Sequence, residues 1–210
     1  MPVFDTTFAT NGSVDTSPST ADQHFMRRAI AWSRQGMENG NMGPIGAVIV
    51  RDGRVLGEGH NRCKADLDIT AHGEMVAIRD GIKRTGDLQG LKGATIYTTA
   101  QPCPMCYSAC RWAGIERIVY ALSCHDTYKI GSEFGFNDLE LYADLRRPER
   151  ERAIPQVQVL PEEAWPTLQD WAREARLSVP ILVDGSVQPA PRVGPPRFRG
   201  RYATARETVG

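Results

Sequence analysis

The chain has 210 residues, 41% of them hydrophobic, enough for one core of ordinary domain size with tails to spare. Its 25 basic residues balance 25 acidic ones, so the chain as a whole carries no nucleic-acid footprint. Five cysteines, an odd number, argue against a disulfide scaffold and for a reducing compartment, with the cytoplasm expected; no apolar run reaches membrane-spanning length and no secretory signal is visible.

Residues 1–21 are rich in Ser, Thr, Asp and Gly without periodicity and read as a disordered leader. From Asp22 the pattern becomes helical, with Phe25, Ala29 and Trp32 on one side and a stop between Gly36 and Gly43. Pro44 to Val50 reads as a buried strand, and Asp52-Gly53 turns it into a partner strand from Arg54 to Gly59. Gly57 and Gly59 weaken that partner, and the following Gly59-His60-Asn61 suggests a backbone held close to something. Asn61 follows, either as a turn cap or as a binding group. The polar loop Arg62 to Ile69, with Cys63 as a bystander, leads to a helix capped by Thr70, carried by Ala77, Ile78 and Ile82, and ended by Gly86.

Ala94 to Thr99 is the next strand. Cys103 then stands as an N-cap, Pro104 at the first helical position and Gly114 just past the end. Arg117 to Leu122 is another strand, Val157 to Leu160 a fifth, and a last helix carries Trp165, Leu168, Trp171 and Ala175. Between Ser123 and Pro155 the sequence is irregular, with Cys124, His125, Asp126, Phe134, Phe136 and a charged run from Arg146 that reads as a solvated surface. Strands alternating with helices imply parallel pairing through right-handed crossovers, in a three-layer α/β/α fold with a mixed five-stranded central sheet. The domain spans residues 22–178, and 179–210 is a Pro/Gly/Arg-rich tail expected to be disordered.

Two short motifs carry the chemistry: His72-Gly73-Glu74 and Pro102-Cys103-Pro104-Met105-Cys106. Zinc takes nitrogen and sulfur ligands, and a catalytic zinc keeps three of them with the fourth position open. His72, Cys103 and Cys106 supply the three, and Glu74 is placed to carry protons rather than to bind metal. Cys103 and Cys106 at a helix start would meet unpaired N–H groups and the positive dipole end, which favours thiolate. A closed structural site using Cys110, one turn on, would leave Glu74 unexplained; a redox dithiol is the other alternative. The pattern H-x-E followed by P-C-x-x-C is the signature of zinc deaminases of bases and nucleosides.

Residues 23–177 resemble the cytidine-deaminase-like superfamily and, within it, the small bacterial guanine deaminases. The resemblance rests on Gly43-Pro44-Ile45-Gly46-Ala47-Val48-Ile49-Val50, on Thr70 to Glu74 and on Pro102 to Cys106, and it continues through Gly135-Phe136-Asn137-Asp138 and Glu151 to Pro155. It implies one zinc per subunit, Glu74 as proton shuttle, and a homodimer that exchanges C-terminal segments. It also implies base contacts from Asn61, Trp112 and Asp126, with Ile45 setting pocket volume and backbone near Ala71 holding the substrate; the alternative for Asp126 is a cap of the turn at Thr127. Ile45, Gly73 and Thr98-Thr99 instead look like the fungal cytosine deaminases, and Leu177 stands where an aromatic residue can end the guanine enzymes. The expected activity is deamination of a free base of guanine type, with cytosine or another pyrimidine as the alternative and tRNA adenosine behind both. The expected partner is a small molecule, with neither membrane nor nucleic acid.

Overall fold

The structure is a computed structural model and describes residues 18–40, 43–129, 138–174, 181–183 and 186–188. The leader up to residue 17, the phenylalanines at 134 and 136, Leu177 and the arginines beyond 189 lie outside the described residues. The chain divides into two units, Met1–Pro148 and Glu149–Gly210.

Helix α1 spans Thr20–Glu38 and starts two residues earlier than the apolar pattern implies. The reason is a capping box: Ser19 Oγ accepts from Asp22 N–H at 3.1 Å, and Asp22 Oδ2 accepts from Ser19 N–H at 2.8 Å. Strands β1 (Gly46–Arg51) and β2 (Arg54–His60) form the expected hairpin. Asp52 and Gly53 both take positive φ, 52° and 74°, the backbone that a tight two-residue turn needs. A short α2 (Cys63–Asp66) occupies the polar loop, held by an Arg62–Asp66 ion pair, and α3 spans Gly73–Thr85. Strand β3 (Thr95–Ala100), helix α4 (Pro104–Trp112) and strand β4 (Arg117–Leu122) complete a βαβ unit.

The sheet order is β2-β1-β3-β4. β1 runs antiparallel to both β2 and β3, whereas β3 and β4 are parallel neighbours. β2 and β3 therefore share a direction with β1 between them, and both α3 and α4 run back along strands whose C-terminal ends they then cap. The sheet is mixed, as expected, but has four strands among the described residues. The expected fifth, Val157 to Leu160, is not a strand; Val157 is 84% exposed and Val159 72% exposed, so its alternation faces solvent.

Alternating side chains divide the core between the two faces. Ala47, Ile49 and Ile96 pack with Ala77, Ile78, Cys110 and Ala113 under α3 and α4. Val48, Val50 and Tyr97 pack with Ala29, Phe25 and Trp32 under α1. That gives three layers. Gly57 explains itself here: a Cβ would run into the backbone of Ala77 and Gly81, so α3 lies directly on β2. On the other face, Asp22 accepts from Arg117 at 2.6 and 3.0 Å and from Tyr97 Oη at 2.9 Å, tying α1 to β4 and β3.

Past β4 the chain is more regular than its sequence suggests. Helix α5 spans Cys124–Tyr128 behind a second capping box, and α6 spans Asp138–Leu145. In the other unit, a 3-10 turn at Glu149–Glu151 precedes helix α7 (Pro161–Glu174). The tail expected to be disordered holds a short hairpin, β5 (Ile181–Val183) with β6 (Ser186–Gln188), pairing Ile181 to Gln188.

Candidate active site

Two helix N-termini meet at the C-terminal end of the sheet. His72, not Thr70, is the N-cap of α3, and its side chain makes no capping bond. Asn61 supplies that bond instead: its Oδ1 accepts from Gly73 N–H at 2.7 Å. Thr70 turns back onto Asp68, donating through N–H at 2.8 Å and through Oγ1 at 2.6 Å. The imidazole is thus left for another task. Cys103 is the N-cap of α4, Pro104 takes the first helical position and Cys106 sits buried in the first turn.

His72 Nδ1 lies 3.7 Å from Cys103 Sγ and 3.6 Å from Cys106 Sγ. A tetrahedral zinc with ordinary Zn–S and Zn–N bonds holds such atoms about 3.5 Å apart. The three residues therefore fit one zinc ion, and they form a metal-type cluster among the described residues. Cys110 does not join it. That thiol packs into the apolar cluster with Ile96 and Ala47, and burial pushes it up to about 12. The closed four-ligand alternative thereby loses its fourth ligand.

Glu74 is 3% exposed, outside the ligand cluster, with Oε2 3.5 Å from Cys106 Sγ. Burial pushes its carboxyl up, so its proton affinity is raised beside the metal position. The two sulfurs are unequal: the hydrogen bond from Cys106 draws Cys103 down to about 4, while that same bond and burial hold Cys106 up. A hydrogen bond to Cys103 raises His72.

Ala71 is fully buried before His72, its carbonyl accepting from Arg62 N–H at 2.8 Å. Ile45 is half-buried and its carbonyl accepts from Asn61 N–H at 2.9 Å. That same carbonyl lies 2.7 Å from where a Cβ on residue 73 would stand, which accounts for glycine between His72 and Glu74. These residues converge. Trp112 does not: it is 90% exposed at the far end of α4, about 12 Å along the helix from Pro104 by helical rise. It borders an apolar groove with Ile78, Ile82, Leu88 and Ala109.

Asp126 is half-buried, and its carboxylate accepts from Ser123 N–H at 3.0 Å, from Ser123 Oγ at 2.6 Å and from Lys129 Nζ at 3.2 Å. Those bonds, Ser123's first, hold it down to about 2. Its oxygens serve the start of α5. A different acid stands near the ligands. Asp138, half-buried in the first turn of α6, is pushed up by burial and by the nearby charge of Cys103. One turn on, Tyr142 Oη donates to the Pro102 carbonyl at 2.7 Å and fixes α6 over the cysteine loop. Sequence reading missed this pair; the spacing Asp138 to Tyr142, four residues on one helix face, was the available signal.

This fold and site define a zinc-dependent deaminase. The family described as cytidine and deoxycytidylate deaminase zinc-binding region matches residues 19–122, from the cap of α1 to the end of β4, and the chain belongs to that family. Guanine deaminase of Bacillus subtilis (strain 168) is 39% identical over 147 residues, 70% of this chain and 91% of that protein. The X-ray structure of guanine deaminase from Bacillus subtilis matches with a TM-score of 0.66 at 37% identity, covering 72% of this chain and 93% of that one. The tRNA-specific adenosine deaminase of Haemophilus influenzae is 38% identical over 121 residues, 57% of this chain and 69% of that protein.

Proposed function

We propose that this chain hydrolytically deaminates a free nucleobase or related amino-heterocycle, guanine preferred, and releases ammonia. The observation that carries the reading is a buried Glu74 set against a His72–Cys103–Cys106 triad of zinc dimensions. Guanine is favoured because the likeness to guanine deaminase runs over 147 residues, well beyond the 19–122 segment shared with the whole family.

Zinc held by His72, Cys103 and Cys106 supplies Lewis-acid activation of water near neutral pH. Glu74 takes the proton of the attacking water on a carboxylate oxygen and returns protons to a ring nitrogen and to the exocyclic amine. The C–O bond forms, the C–N bond breaks, and the amine leaves as ammonia. Asn61 Oδ1 is committed to Gly73, so a contact with the base falls to its Nδ2. Ile45 and the Ala71 backbone bound the pocket. Asp138, with Tyr142 fixing its helix, takes the base-reading part that resemblance gave to Asp126; an ionised carboxylate suits the N–H edge of guanine.

Deamination of adenosine in tRNA is the second reading, favoured by the Haemophilus relative. A formal net charge of zero counts against it, since RNA affinity draws on released counterions. We further propose a cytoplasmic homodimer with an exchanged C-terminal segment. All five cysteines are free thiols, and no helix among the described residues is long and apolar enough to cross a membrane. The test is ammonia release from guanine, cytosine, aminotriazines, nucleosides and tRNA. Guanine should give the highest kcat/KM; efficient turnover of cytosine or tRNA without any of guanine would overturn the assignment.

A further inference from the structure

His60 is a buried histidine, 4% exposed, to which the deaminase reading gives no task. Its direction follows from the alternation of β2. Gly57 and Gly59 turn to α3, where a Cβ on Gly59 would stand 2.5 Å from Val76 Cγ1. Glu58 and His60 turn the other way, under α1. Glu58 accepts from Arg28 Nε at 2.6 Å and from Trp32 Nε1 at 2.9 Å, and the His60 and Trp32 ring centroids are 5.7 Å apart. Gly36 lets α1 close on the imidazole, since a Cβ there would stand 2.9 Å from His60 Cγ and Nδ1. The ring is therefore seated on the sheet face away from α3.

From that seat it holds one atom of the substrate site. A carbonyl only accepts, so the 2.8 Å bond between His60 Nδ1 and the Asn61 carbonyl is donated by the ring. Asn61, 6% exposed, is the residue assigned above to the base. The two peptide planes beside its Cα decide where its side chain starts. On one side, Asn61 N–H donates to the Ile45 carbonyl at 2.9 Å. On the other, Arg62 N–H donates to the Ala71 carbonyl at 2.8 Å, and His60 holds the carbonyl end of that same peptide. Asn61 Oδ1 then accepts from Gly73 N–H at 2.7 Å, so the orientation of the amide follows from the backbone beneath it.

We propose that His60 is a positioning residue for base recognition: its Nδ1–H holds the Asn61 carbonyl, and so keeps the Asn61 amide on Gly73 N–H and aimed at the base. It acts through Asn61 and touches no substrate. Without that donor the Asn61–Arg62 peptide tilts and carries Oδ1 off the start of α3, whose first N–H groups depend on such caps. The base contact rests on the deaminase reading above; the hold on Gly73 does not.

Two kinds of variant separate the donor from the packing. His60→Phe keeps a ring against Trp32 and deletes the donor. His60→Asn gives up the ring but places its amide N–H where Nδ1 stood. In zinc-loaded protein, His60→Phe should lower kcat/KM for guanine about ten-fold, the size of one lost hydrogen bond. By NMR, its Gly73 amide should exchange with solvent about ten-fold faster, while the Val76 amide, bonded to the His72 carbonyl one turn on, keeps its rate. His60→Leu, which lacks both ring and donor, should match His60→Phe in both readouts. His60→Asn should melt below the wild type yet keep kcat/KM within two-fold and Gly73 exchange at the wild-type rate. Turnover then follows the donor and not the melting temperature. Equal losses in His60→Asn and His60→Phe would overturn the proposal, as would Gly73 and Val76 speeding up alike or an unchanged Gly73. Wild-type protein inert on every base would sink the deaminase reading, while Gly73 exchange across the three variants still decides His60.

Discussion

Glu74 and its neighbours divide the work of the site so that each can be removed alone. Glu74→Gln keeps a hydrogen-bonding amide that cannot accept the proton; zinc should stay bound while kcat falls by about 10²–10⁴-fold. Zinc missing from that variant on metal analysis would make Glu74 a ligand and undo the assignment. Cys103→Ala and Cys106→Ala should each lose zinc, whereas Cys63→Ala and Cys124→Ala should keep it. Asp138→Asn should cut guanine kcat/KM by about 10²-fold or more, because an unpaired buried polar edge discriminates strongly. Asp126→Asn should leave guanine turnover nearly unchanged and lower the melting temperature slightly as a weakened cap. The zinc ligands and Glu74 were legible because their chemistry is written in local spacing, two residues in one motif and three in the other. Asp138 was not, since its approach to Cys103 depends on the path of the chain between β4 and α6. Asp126 is expected either as a base contact, by resemblance, or as a cap, and its bonds to Ser123 and Lys129 put its carboxylate at the start of α5.

At the scale of elements, the Asp22 carboxylate joins α1 to β4 through Arg117 and to β3 through Tyr97. The Arg117 guanidinium holds that carboxyl well below the usual carboxylate value of 3.8. A depressed folded-state pKa means the contribution is full above the unfolded value and is lost as pH falls through the folded one. Acid unfolding of the wild type should therefore steepen below the usual 3.8 of a free aspartate, and Asp22→Asn should flatten that limb. At neutral pH, Arg117→Ala strands the buried carboxylate and should cost about 3 kcal/mol by denaturant unfolding. Gly57→Ala should cost at least as much, since backbone on α3 blocks the new methyl. The β1–β2 hairpin was legible because turn chemistry is local, whereas the contact of α3 on Gly57 was not, since it depends on where α3 lands on the sheet. The capping boxes at Ser19 and Ser123 were passed over among other polar residues. Val157 and Val159 alternate with Gln156 and Gln158 as a strand should, yet alternation makes a strand only where a neighbour supplies hydrogen bonds.

For the molecule as a whole, an indole 90% exposed beside an apolar groove suits contact with a second copy. Light scattering should report a dimer, and Trp112→Ser should shift it toward monomer without loss of zinc. Ending the chain at Ser178 removes the short hairpin of residues 181–188 and the arginine-rich stretch; ammonia release from guanine should be unchanged. The layering was legible from the order of strands and helices. The strand count was not, because pairing partners are set by the folded chain and not by any one segment.

The tight turn at Asp52-Gly53 has a practical use. The metal end of β1 is marked by the Ile45 carbonyl beside α3, and the turn closes the other end, about 20 Å away by strand rise. A side chain added at Gly53 would meet nothing within 4 Å. Surface loop tips of this kind accept inserted sequence. A linker spliced between Asp52 and Gly53 would therefore tether the protein to an electrode or bead from the end of the hairpin remote from the zinc ligands, turning the ammonia it releases into a local sensor signal.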